Sequence, residues 1–217
     1  VANFGLQDYL QFDGYAYRLV PIKTTYTDLW NAGRIDTDLL YHNLMEVYRY
    51  GNVADPRVYV DTFVNYNFNA TNIRIAFARL GAELARRGEK EKAVEVLDYG
   101  LEQMPVSQFQ YTYQYLPYIR AYYEAGATEK GDALFDSYAK NLEEYVDYFL
   151  SFPDNRQYLI ENQFADKLTA LAELHRIAEN YGRTDRAARI LNLFDWLFGP
   201  EGQTDYTEYE QTVLPTE

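Results

Sequence analysis

The chain has 217 residues, 47% of them hydrophobic, which is enough for one substantial core or two small ones in a globular protein. Its 33 acidic and 20 basic residues give a net charge of −13, which repels nucleic-acid phosphates and anionic lipid headgroups and argues against a nucleic-acid partner. The absence of cysteine excludes disulfides, thiolate metal sites and a cysteine nucleophile, and leaves periplasm and cytosol both open. No run approaches the ~18 to 20 apolar residues of a membrane span. Val1-Ala2-Asn3 carries neither an initiator Met nor a signal-peptide pattern, so an excised soluble piece is expected. The unusual feature is the 23 Tyr and 12 Phe, residues that suit both amphipathic cores and binding grooves.

In chain order, residues 8–23 set Phe12, Gly14 and Ala16 against Asp13, Tyr15 and Tyr17, which predicts an extended or short hairpin segment closed by Pro21. Thr24 to Gly33 carry loop composition. Asp36 or Thr37 is placed to cap a helix with the apolar stripe Leu39, Leu40, Leu44, Val47 and Tyr48, and Gly51 lies just past its end. Asn52 to Asn69 reads as a loop with room for a short helix after Pro56. Asn69 or Thr71 then caps the next helix.

The stretch from Arg74 to Ser107 reads as one helix-turn-helix unit of 34 residues. Phe77, Leu80, Gly81 and Leu84 share one helical face; Gly88 breaks the helix; Ala93, Leu97 and Gly100 share one face of the second helix, which ends before Pro105. The small residues predict where the two helices come closest. Counted from Arg74, these eight residues other than Gly88 occupy positions 4, 7, 8, 11, 20, 24, 27 and 32. That register resembles a tetratricopeptide repeat.

Downstream, Tyr111, Tyr115, Tyr118 and Tyr122 fall on one face of a helix running to about Ala125, with Pro117 kinking it or lying near its start. Gly126 aligns with Gly88, and Thr128 is placed to cap a helix carrying Leu134, Phe135, Tyr138 and Leu142, so this pair reads as a degenerate second repeat. Gly131 and Tyr138 depart from the expected alanines. After Phe152-Pro153 the longest helix is expected, with Phe164, Leu168, Leu171, Leu174 and Ala178 as its stripe up to Gly182. A closing helix capped by Thr184 or Asp185 should turn Ala187, Leu191, Phe194 and Phe198 inward. The tail from Glu201 is polar and acidic and is expected to be mobile or draped over the surface.

The segments Tyr9–Thr24 and Gly33–Met45, followed by Tyr50-Gly51-Asn52, resemble the region after the membrane-spanning part in a family of multi-spanning proteins of Bacteroidetes. That family is similar to glycosyltransferases of the protein O-mannosyltransferase type, and its members end in a soluble tetratricopeptide-like region. The resemblance implies a soluble C-terminal domain on the periplasmic face, with any catalytic acid of the parent upstream. It carries no catalytic residue onto these positions.

Chemistry within the chain reads sparsely. Asp38 and His42 lie one helical turn apart without a nucleophile or metal-ligand partner, and His175 lies on a packing stripe. Glu143-Glu144, Asp36 and Asp38 fit a solvated helix face and helix capping. Neither a phosphate-binding nor a dinucleotide loop nor a zinc-protease motif is present, so no cofactor is expected and no metal site is assigned. Asn69-Ala70-Thr71 matches a glycosylation acceptor and equally a helix cap.

The expected fold is all-α, built of tetratricopeptide-like antiparallel hairpins in an α-solenoid behind a short extended N-terminal segment. The expected divisions are an N-terminal segment at 1–52, repeats at 53–200 and a tail at 201–217, within one structural domain. The expected role is a non-catalytic interaction domain that binds protein or peptide, or glycan, and is attached to a membrane-spanning part. The rival is a carbohydrate-binding or glycoside-processing domain using the Tyr-rich surface and carboxylates. The Tyr111, Tyr115, Tyr118 and Tyr122 stripe serves either packing or ligand stacking; the ligand role requires at least two rings open to a groove.

Overall fold

The structure is a computed structural model that describes residues 5–24, 33–61 and 71–199. Among them, seven α-helices dominate and the fold is all-α, with one three-stranded sheet near the N-terminus. The chain forms two compact units, Val1–Leu134 and Phe135–Glu217, and the division falls inside a helix.

In the first unit, β1 (Leu10–Phe12) and β2 (Tyr17–Leu19) form the expected hairpin, antiparallel with Phe12 opposite Tyr17. β3 (Arg34–Ile35), which the sequence reading took no account of, pairs parallel with β1. Next comes α1 (Thr37–Tyr41), whose N-cap is Asp36: its carboxylate accepts from the Leu39 amide at 3.1 Å. The helix widens to a π-helical turn over His42–Val47. That wider turn breaks the predicted stripe: Leu40 and Leu44 are fully buried, whereas Val47 is exposed. Residues 52–58 have no helix after Pro56; turns run through them, held by the Gln108 amide donating to the Asp55 and Val58 carbonyls at 2.7 and 2.8 Å. Asn69 lies outside the described residues.

The hub of this unit is α2 (Thr71–Arg86), buried on nearly every side. It packs on α1, on α3 (Lys90–Gln103) and on α4 (Tyr115–Glu124). A side chain added at Gly81 would stand 2.7 Å from Leu97, and one at Gly100 would stand 2.7 Å from the Phe77 ring. Contacts 81 to 97 and 77 to 100 run in opposite directions along the two helices, so α2 and α3 are antiparallel and their seam is closed by glycine. Ala93 is fully buried, as the seam requires. Gly100 also lies against the Tyr118 hydroxyl, so α2, α3 and α4 converge there.

Three turns repeat one geometry. At Gly88, the glycine amide donates to Ala85 and the next amide, Glu89, to Leu84; at Gly126 the pair is Gly126 to Tyr123 and Ala127 to Tyr122; at Gly182 it is Gly182 to Glu179 and Arg183 to Ala178. Each glycine has a φ between 67° and 86°, which L side chains rarely adopt, and this is what lets two orphan carbonyls be satisfied at the helix end. The repeat register read from the sequence therefore has a local structural basis at the first two hairpins, and the third turns in the same way.

Pro117 is the third residue of α4, in the first turn, where its missing amide costs nothing. α5 (Thr128–Leu150) starts in the first unit and continues into the second. Gly131 departs from the repeat pattern because the Tyr123 ring fills the space: an added side chain there would stand 2.7 Å from it.

In the second unit, α5 buries Phe135, Tyr138, Leu142 and Val146. At 23 residues it is longer than the 20 of α6 (Glu161–Asn180), which overturns the expectation that the longest helix follows Pro153. A 3-10 helix over Asp154–Leu159 takes up the first turns after the proline. α6 packs on α7 (Thr184–Phe198). The closing helix rotates away from the predicted stripe: Ala187, Ile190 and Phe194 are buried, while Leu191 and Phe198 are 37% and 41% exposed. Its N-cap is Arg183, without a side-chain capping bond, in place of Thr184 or Asp185. Two bidentate ion pairs join α7 to α5: Arg186 with Asp136 at 2.6 and 2.9 Å, and Arg189 with Glu143 at 2.7 Å for both bonds. No helix among the described residues is long and apolar enough to cross a membrane.

Candidate functional site

The predicted ligand-binding stripe is core. Tyr115, Tyr118 and Tyr122 are 0%, 0% and 2% exposed, and Tyr111 precedes α4 and is half-buried, so the requirement of two open rings fails. The reason is that α4 lies against both α2 and α3, and its tyrosine face fills the space between them.

The rings are held by specific partners. The buried guanidinium of Arg74 lies 4.6 Å from the Tyr115 ring centre and 5.3 Å from that of Phe109, and donates to the carbonyls of Phe109 and Met104 at 3.1 and 3.3 Å. Carbonyl dipoles and π faces thus stand where a carboxylate would be expected. The Tyr122 hydroxyl donates to Asp98 at 2.8 Å, and Lys130 pairs with the same carboxylate. The Tyr118 hydroxyl has no hydrogen-bond partner. Burial pushes the phenols of both Tyr118 and Tyr122 far above the usual range, and for Tyr122 the hydrogen bond to Asp98 adds to it. Both phenols stay protonated at neutral pH.

One open cleft of about 650 Å³ lies in the first unit, where β3 meets α2, lined by Thr24, Gly33, Arg34, Ile35, Arg79, Glu83, Arg86 and Glu124 among others. Arg79 is nearly buried; it donates to the Gly33 carbonyl at 2.7 Å and lies 4.9 Å from the Phe12 ring centre, which fastens the sheet to α2. Glu83 bonds Arg86 at 2.6 and 2.8 Å and Arg87 at 3.1 Å, and the Arg86 bond chiefly holds its carboxyl below the usual range. The cleft's described lining contains no aromatic ring, and Glu83 is committed to arginine rather than aimed at a substrate.

The histidines pair within their own helices. His42 meets Glu46 at 2.6 Å rather than Asp38, and His175 lies 3.7 Å from Glu179 at a helix edge. Glu143 is paired with Arg189 and Glu144 lies 3.8 Å from Lys140, so these adjacent carboxylates have structural partners. Among the described residues no group of three or more His, Asp or Glu could hold a metal ion.

Sequence reasoning missed Arg74, Arg79 and Glu83 as structural centres, and it missed the partly exposed aromatic row at the end of α5. Tyr145, Tyr148 and Phe152 lie there at helical spacing, with Tyr148 51% exposed.

Fold and site together define an all-α protein of packed helical hairpins. No protein-family model, curated protein or solved structure matches the chain.

Proposed function

We propose that the chain is a non-catalytic helical-repeat interaction domain that binds protein or peptide as the soluble, extracytoplasmic part of a membrane glycosyltransferase-like protein. The observation that carries the scaffold reading is the recurrence of one glycine turn at Gly88, Gly126 and Gly182, with a glycine-closed seam between α2 and α3. Helical hairpins of this kind present extended faces to partners. The membrane attachment and periplasmic face rest on the sequence resemblance at Tyr9–Asn52 alone. The described lining of the cleft supports binding over hydrolysis: Glu83 is neutralised by two arginines, and among the described residues no ring lines the cleft with Glu83 and Glu124.

The test has two arms: the purified chain is assayed against a panel of aryl glycosides, and a photo-crosslinking amino acid is placed at exposed positions in the protein in its native cell. A scaffold gives a defined protein adduct and no turnover. Turnover that Glu83→Gln or Glu124→Gln abolishes would overturn the reading in favour of glycoside processing.

A further inference from the structure

We infer that the aromatic row at the C-terminal end of α5 is a docking surface for a lysine- or arginine-bearing segment of a partner protein, with Tyr148 as the ring that receives the cation. This rests on the interaction-domain reading and names the surface and the chemistry of the partner.

Tyr145, Tyr148 and Phe152 lie at i, i+3 and i+7, so they share one face of the helix end and the turn after it. Their ring centres are 5.9 and 5.0 Å apart, with interplanar angles of 61° and 80°. Edge-to-face stacking of this kind fixes the rings as a row before any partner arrives. Flanking the row, Phe149 stacks on Phe164 at 3.7 Å and anchors the helix end to α6. Tyr148 nevertheless leaves half its surface in water.

The row already holds one cation. The Lys167 ammonium lies 5.4 Å from the Tyr145 ring centre, and the Tyr145 hydroxyl bonds the Gln163 side chain at 2.8 Å. No cation stands over Tyr148 among the described residues. Charge around the row is unbalanced in the same sense. Elsewhere in this unit Asp136, Glu143 and Glu173 each bond an arginine. Beside the row, Asp147 makes no ion pair among the described residues, Asp166 interacts electrostatically with the Lys167 ammonium without an ion pair at contact distance, and Glu144, one turn before Tyr148, has the Lys140 ammonium at 3.8 Å. The exposed π face of Tyr148, next to weakly paired carboxylates, complements an apolar stem ending in a positive charge. A neutral sugar would use the rings but leave that charge unmatched.

The experiment measures fluorescence polarisation of the whole chain with a labelled decapeptide alternating Arg and Ser, at low and high salt, with a Glu-containing peptide and a neutral oligosaccharide as the other probes. The basic peptide should bind, and Tyr148→Ala should weaken it about fivefold while leaving the net charge unchanged. Tyr148→Phe should bind like wild type, as should Tyr59→Ala, which removes a still more exposed ring from the other unit. Equal binding by wild type and Tyr148→Ala would overturn the surface while leaving the interaction role standing, since net charge alone would then hold the peptide. Oligosaccharide binding lost in Tyr148→Ala, with no peptide binding, would overturn both.

Discussion

Two tyrosine-bearing faces of this protein share a spacing and differ in everything else. On α4, Tyr115, Tyr118 and Tyr122 are buried and partnered with a guanidinium, a glycine seam and a carboxylate. At the end of α5, Tyr148 stands in water between Tyr145 and Phe152. Helical periodicity reports which residues share a face; it does not report whether another helix lies on that face. The α4 stripe is flanked by α2 and α3, and its rings became core for that reason.

The comparison is broken most directly by removing one ring from each row. Tyr118→Ala should destabilise the chain by about 3 to 5 kcal/mol, the range for truncating a buried aromatic residue, whereas Tyr148→Ala, which loses two edge-to-face contacts but half as much burial, should cost about 1 kcal/mol. Urea unfolding monitored by circular dichroism checks both; equal losses would mean that the two rows are buried alike. Gly100→Ala tests the seam beneath Tyr118, where the added methyl would overlap the Phe77 ring and the Tyr118 hydroxyl. Its expected cost is about 1 to 3 kcal/mol in the same measurement. Hydroxyl deletions sharpen the contrast within α4 itself. Tyr122→Phe loses a bond to Asp98 and should cost about 1 kcal/mol, while Tyr118→Phe removes a buried hydroxyl without a partner and should be neutral or stabilising.

The smallest effect concerns Glu83. Its carboxyl is held below the ordinary value of 4.5 by Arg86, so the stabilising contribution is present above that pH and is lost as pH falls through the depressed folded value. Because the partner Arg86 side chain is 72% exposed, solvent screening limits this to a few tenths of a kcal/mol. Stability measured between neutral pH and pH ~3 should decline slightly less in Glu83→Gln than in wild type.

Local rules made much of this fold legible. Gly88, Gly126 and Gly182 marked three hairpin turns, and Gly81, Ala93 and Gly100 marked the close approach of α2 and α3, because those positions depend on one residue's size or backbone freedom. Features requiring distant partners escaped. β3 has two residues and exists only because β1 lies beside it. The π-helical turn after Tyr41 shifted Val47 outward against a regular 3.6-residue expectation. Leu191 and Phe198 were assigned inward on spacing, yet Ile190 took the buried position in α7. The cleft was invisible for the same reason: Arg34 and Ile35 come from the sheet, Arg79 and Glu83 from α2, and no sequence motif joins them.

Arg74 has a consequence for how the first unit comes apart. From the opening turns of α2 it grips the carbonyls of Met104, Phe109 and, at 3.5 Å, Gln110, in the irregular stretch that links α3 to α4. That connector borrows its satisfaction from a side chain thirty or more residues earlier, so it cannot fray alone at low cost. Its amides should exchange with solvent in concert with those of α2, as one cooperative block rather than as a loosely tethered loop.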